Sequence, residues 1–136
     1  MLEEEKETWD MYKVSRGEFP KDDELSLYDG FVITGSCSDA YGNDKWVIDL
    51  VNLIKKLDSM HIKILGICFG HQVQELPTKA EIIAKSEKTG IEMFKYGDHI
   101  MGIQGHPEYS KDLLLHLIDR LIQRNFIMVQ GRGLLC

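Results

Sequence analysis

Cysteine, proline and tryptophan are scarce in this chain: its 136 residues hold 3 Cys, 3 Pro and 2 Trp. Cys37, Cys68 and Cys136 are odd in number and far apart, which argues against a disulfide framework. Free thiols in a reducing compartment are the expectation. With few prolines and 12 glycines, the chain is neither collagen-like nor of low complexity. Its 43% apolar and 28% charged residues match a globular domain and not a disordered one. No apolar run comes near the roughly 18–20 residues that cross a bilayer. The start, Met1-Leu2-Glu3-Glu4-Glu5-Lys6, is acidic where a signal peptide is basic and then apolar, so a cytosolic location is expected. Positive charge is also lacking. The net charge is −6, and residues 1–25 carry nine acidic and four basic groups of the total. The remainder is nearly neutral, leaving no electrostatic footprint for nucleic acid or a membrane surface. The length suits one domain, residues 1–136, at roughly 100–200 residues per domain.

What is present is a strand and helix order. Trp9–Val14 is expected to form a short strand, broken by the polar run that holds Gly17 and Pro20. Gly30–Gly35 is a short apolar run bounded by glycines, as a buried strand is. From Trp46 to Leu57, Val47, Leu50, Val51, Ile54 and Leu57 recur at helical spacing. Ile62–Ile67 is the next strand, which makes a βαβ unit and a partly parallel sheet. Glu81–Ser86, Ile91–Lys95 and Ile100–Gln104 predict three close strands in a meander. Ser110 suits the N-cap of a last helix with Leu114, Leu117, Ile118, Leu121 and Ile122 on one face. Both helical stripes are expected to face the core. The class is α/β, a three-layer sandwich with a mixed, mostly parallel sheet.

Two stretches carry chemistry. Gly66-Ile67-Cys68-Phe69-Gly70-His71-Gln72 follows a strand, with glycines two residues to either side of a cysteine. That is the spacing of a nucleophile elbow, where the turn is too tight for flanking side chains. The thiol then faces the start of a helix, whose dipole favours the nucleophilic thiolate. The second stretch is Gly105-His106-Pro107-Glu108, where proline fixes the backbone between a histidine and a carboxylate. Cys68, His106 and Glu108 together fit the triad logic of acyl-transfer hydrolases. Cys68 with His71, His106 and Glu108 also sketches a zinc site, but no second C-x-x-C or H-x-x-x-H spacing supports it, and no metal is expected. Cys37 and Cys136 read as structural or incidental thiols. His61, His99 and His116 show no partner pattern and read as solvated or helix-face residues.

The pair G-I-C-F-G-H-Q and Q-G-H-P-E, in that order, resembles the signature of class I glutamine amidotransferase domains. Tyr28–Ser36 and Ile103–Tyr109 most resemble the plant γ-glutamyl peptidase branch. The resemblance spans roughly Trp9 to Ile127 and implies a flavodoxin-like glutamine amidotransferase fold. It also implies a cysteine hydrolase acting on γ-glutamyl amide bonds through a thioester, with Cys68 as nucleophile, His106 as general base and acid, and Glu108 orienting His106. The oxyanion hole it implies uses the backbone N–H of Phe69 and the Gly35–Ser36 turn, with Gly70 and Gln72 completing the substrate-binding set. Substrates in that branch are γ-glutamyl peptides such as glutathione and its conjugates, and neither metal nor organic cofactor is needed.

The chain departs from that family at two places. Family members place a further strand and helix before the counterpart of Trp9. After Gln72 the chain passes at once into Val73-Gln74-Glu75-Leu76-Pro77, which resembles a much later family segment. An internal deletion, and with it an incomplete fold, is the expectation. The later segment has its own His-Gln pair, so His71-Gln72 belongs either to the elbow or to that segment. Two alternatives stand beside the hydrolase: an inactive shortened form acting as a binding remnant, and a glutaminase that supplies ammonia to a separate synthetase.

Overall fold

The computed structural model describes residues 8–36, 38, 40–74, 78–106, 109–123, 128–130 and 133–135. The chain divides into two compact units, Met1–Gly105 and His106–Cys136.

The first unit is a five-stranded mixed sheet in the order β1-β2-β5-β4-β3. Its strands are β1 (Gly30–Ile33), β2 (Lys63–Ile67), β3 (Glu81–Ser86), β4 (Gly90–Tyr96) and β5 (Ile100–Ile103). β1, β2 and β5 run parallel, in register Ile33↔Gly66 and Gly66↔Gly102. β4 and β3 continue antiparallel from β5 as the expected meander. The α/β class and the mixed sheet read from the sequence are therefore present.

Helix α1 (Lys45–Ser59) links β1 to β2 and buries Val47, Leu50, Ile54 and Leu57, a stripe of helical period. Its start is held by the Asp44 carbonyl, which accepts from the N–H groups of Val47 and Ile48. It ends in a left-handed turn at His61, φ +56°. There the Ile62 N–H reaches the Leu57 carbonyl and the His61 N–H that of Asp58, which is the Schellman pattern. Pleating then sorts the sheet. Phe31 and Ile33, Ile64, Ile100, and Phe94 and Tyr96 share one face through the strand registers, and all pack in the cluster that holds the α1 stripe. Leu25, from a short 3₁₀ turn at Leu25–Leu27, is fully buried in the same cluster.

His99 departs from its reading as a solvated residue. It is 9% exposed; its Nε2 lies 2.8 Å from Asp58 Oδ1 and its ring stacks on His61 at 4.9 Å. The pair ties the end of α1 to the start of β5. Trp9–Val14 forms no strand: Trp9 and Met11 are exposed, so no buried face anchors one, and the segment closes in a 3₁₀ turn at Val14–Arg16. Tyr28 steadies this region, its hydroxyl donating to Asp10 and sharing a hydrogen bond with Tyr12. Those bonds, Tyr12's first and then Asp10's, push the ionisation of Tyr28 well above its ordinary range.

The second unit contains a helix at Lys111–Gln123 and an antiparallel pair, Met128–Gln130 with Gly133–Leu135. Ser110 caps the helix as expected, its Oγ accepting from the Leu113 N–H. Of the expected core stripe, Leu114 is 48% exposed, Leu117 and Ile118 are half-buried, and the side chains of Leu121 and Ile122 lie outside those described.

Two measurements check this fold. Phe94 is 1% exposed at the centre of the cluster, so Phe94→Ala destabilises the protein by about 3–5 kcal/mol in chemical denaturation. Glu92 accepts from the hydroxyls of Thr89 and Ser86 across the β3–β4 turn, and these bonds, Thr89's first, hold its carboxyl below the ordinary 4.5. Its contribution to stability is complete above that ordinary value and is lost as the pH falls through the lowered folded value. The difference in thermal midpoint between wild type and Glu92→Gln therefore narrows on acidification below pH 4.5.

Candidate active site at the strand elbow

β2 ends at Ile67, and the next residue, Cys68, has φ +54° and ψ −106°. A non-glycine residue rarely adopts this conformation, and holding it costs of order 1–3 kcal/mol. The pairing with β5 does the holding: the Cys68 N–H donates to the Ile103 carbonyl at 2.8 Å. The next helix, α2 (Phe69–Val73), begins immediately, and the Gln72 N–H closes back onto the Cys68 carbonyl at 3.0 Å.

The two glycines are required by contact. A Cβ on Gly66 would overlap the backbone carbonyl of Gly70 and the amide of Gln74. A Cβ on Gly70 would overlap the carbonyl oxygen of Ile33 at the end of β1. The elbow thus sits against the ends of two parallel strands, with its thiol half-buried.

The remaining predicted site residues fall as follows. Phe69 is 2% exposed, its ring 5.5 Å from that of Trp46. Gly70 is buried under the elbow. Gly35 and Ser36 are exposed just past the end of β1, at the same end of the sheet as Cys68 because β1 and β2 are parallel and in register to Ile33↔Gly66. Ser36 Oγ accepts from the Ser38 N–H. Gln72 is half-buried, and its side chain donates to Gln104. His106 belongs to the second unit, where its ring stacks on Tyr109 at 4.2 Å and 6°. Glu108 lies outside the described residues, as do Cys37 and Cys136. Among the described residues no three His, Cys, Asp or Glu side chains are grouped to hold a metal ion.

Two features were not legible in the motif. Gln104 lies beside the thiol, with Nε2 4.0 Å from Sγ; it precedes Gly105-His106 in the second motif, which was the one available signal. His71 Nδ1 and both amide atoms of Gln74 are buried with no hydrogen-bond partner among the described residues. Each such group costs about 1–3 kcal/mol. The helix expected after the elbow is also short, at five residues, so it contributes little of the dipole that a long helix directs at its first residue.

No protein-family model matches the chain. Among curated proteins it is 38% identical to γ-glutamyl peptidase 5 of Arabidopsis thaliana, over 88% of this chain and 69% of that protein. It is 35% identical to γ-glutamyl peptidase 2 of the same plant, over 91% of this chain and 71% of the relative. The first alignment runs over 173 positions yet takes in 88% of a 136-residue chain, so about 50 positions have no counterpart here. Among solved structures, a glutamine amidotransferase from Thermotoga maritima superposes with a TM-score of 0.69 at 19% identity, over 85% of this chain and 71% of that one. That likeness shows the fold.

The overlaps at the elbow set the expected result for the glycines. Gly66→Ala and Gly70→Ala each force backbone to move and destabilise the protein by about 1–3 kcal/mol. Both also slow alkylation of Cys68 by iodoacetamide. Denaturation and peptide-resolved mass spectrometry measure the two effects.

Proposed function

Because this chain belongs to the γ-glutamyl peptidase family, within the glutamine amidotransferase-like proteins, we propose that it is a cysteine hydrolase of γ-glutamyl amide bonds. The substrates are small γ-glutamyl peptides such as glutathione and its conjugates. The observation that supports this most is the strained elbow, with Cys68 at φ +54° between a strand and a helix and no room for a side chain at Gly66 or Gly70.

In this reading Cys68 Sγ attacks the γ-carbonyl carbon, and His106 takes the thiol proton. Backbone N–H groups at Phe69 and the Gly35–Ser36 turn hold the oxyanion. The C–N bond breaks, the amine leaves with the proton from His106, and a γ-glutamyl thioester remains. Water then attacks, the C–S bond breaks, and the glutamyl carboxylate is released with the thiol restored. Glu108 orients His106, Gly70 keeps the elbow tight, and Gln72 contacts the substrate. His106 and Glu108 take these roles from their place in Gln104-Gly105-His106-Pro107-Glu108. A reducing compartment, the cytosol, suits a nucleophilic free thiol. No helix among the described residues is long and apolar enough to cross a membrane.

A second reading is a folded remnant without turnover. It is favoured by the orphaned polar atoms of His71 and Gln74 beside the elbow and by the gap of about 50 positions against the relatives. A glutaminase working with a separate synthetase differs only in its leaving group, ammonia.

One assay set distinguishes these readings. The purified chain releases the amine from glutathione or a γ-glutamyl anilide, and Cys68→Ala lowers turnover by at least about a thousandfold. Turnover of glutamine alone, raised by a co-purifying chain, favours the glutaminase. Cooperative thermal unfolding with no turnover, and a Cys68 no more reactive than free cysteine, leaves the remnant and sinks the hydrolase.

A further inference from the structure

We propose that Gln104 is a positioning residue for the Cys68 sulfur, holding it through a side-chain N–H while Gln72 engages the carbonyl corner of the same amide. This rests on reading Cys68 as the nucleophile.

A carboxamide presents a donor at one corner and an acceptor at the other, and a half-turn of the group exchanges them. In the structure one orientation of the Gln104 amide makes two contacts. Gln72 Nε2 donates to Gln104 Oε1 at 3.3 Å, which occupies the oxygen. The NH₂ of Gln104 is left toward Sγ at 4.0 Å. A thiolate only accepts, so this is the orientation that serves the nucleophilic form. The opposite orientation offers oxygen, which a thiolate cannot use.

The backbone makes the placement firm. The Gln104 N–H donates to the Glu92 carbonyl at 2.8 Å, anchoring the residue to β4 just past the end of β5. Cys68 is tied to Ile103, the preceding residue, at 2.8 Å. The thiol and the amide therefore stand on adjacent, mutually bonded strand ends. Gln72, Gln104 and Cys68 are each half-buried, so water competes less for these bonds than it does at a fully exposed site. Gln72 gains a second duty from this arrangement: besides meeting substrate, it occupies the oxygen of the Gln104 amide.

The test is the rate at which Cys68 reacts with iodoacetamide, read by mass spectrometry of the Cys68 peptide. It needs no γ-glutamyl substrate, so it stands apart from the hydrolase reading. Gln104→Glu keeps the shape and the acceptor for Gln72 but puts negative charge where the donor was. It is expected to slow alkylation about tenfold or more at neutral pH, as loss of a hydrogen bond to a charged group does. Its pH–rate profile moves to higher pH. Gln104→Met, which removes donor and acceptor alike, slows the reaction a few-fold, as does Gln72→Met, which frees the amide to turn. A merely structural role predicts the reverse order, with Gln104→Met worse than the isosteric Gln104→Glu and each rate following loss of thermal stability. That order overturns the proposal, as do wild-type rates in folded Gln104 variants. If Gln104→Glu does not fold, Gln104→Met and Gln72→Met decide alone, wild-type rates in both being the overturning result. If the variants slow alkylation while the wild type turns over no γ-glutamyl substrate, the positioning role stands and the hydrolase reading fails.

Discussion

The parallel pairing of β2 with β5 carries both ends of the first unit. At one end the Ile64 N–H donates to the His99 carbonyl at 2.7 Å, and the same histidine is bonded to Asp58 at the end of α1. At the other end the ladder runs past the last residue of β2 into Cys68, through the bond to Ile103. β1 is added on one side and the β4–β3 hairpin on the other. Cys68 is therefore held in its strained conformation by a ladder that is itself closed at its far end. Without the bond to Ile103 the positive φ has no compensation, and the elbow relaxes toward an ordinary turn.

Much of this is legible in the sequence. β1, α1, β2 and the three-strand meander announce themselves through apolar runs and helical spacing, because each element has one face that must leave water. The elbow glycines were legible for a different reason, since a steric requirement at two residues either side of a cysteine is a local pattern. Contacts between residues far apart in the chain were not legible. His99 finds Asp58 41 residues away and Gln104 finds Cys68 36 residues away. A histidine or glutamine has no hydrophobic period to betray its partner, so these contacts emerge only when strand registers bring the residues together. Trp9–Val14 fails in the opposite direction: its composition suits a strand, but strand formation needs a buried face, which Trp9 and Met11 do not have.

The segment after the elbow sets a favourable burial against an unfavourable one. α2 buries Phe69 and Val73 in the apolar cluster, a favourable exchange, but it carries His71 and Gln74 inside with them. His71 lies against the ring of Phe94 at 5.2 Å, and Gln74 sits where a side chain on Gly66 would stand. Neither aromatic edge nor glycine offers the hydrogen bonds these side chains gave up to water. The same five residues thus hold the elbow down and place a desolvation penalty beneath it.

A short helix also changes which forces act on the sulfur. The field at a helix start grows as peptide dipoles align, and five residues supply scarcely more than one turn of them. Directional donors then matter more than the diffuse dipole. The amide of Gln104 is such a donor, and its backbone anchor is the carbonyl of Glu92. The side chain of Glu92 is in turn engaged by Thr89 and Ser86 at the β3–β4 turn. Covalent and hydrogen-bonded steps thus connect that turn, through β4, to the residue beside Cys68. In an elbow with a long helix behind it this route would be a refinement. With five residues in α2, the donor of Gln104 has little helix dipole to compete with.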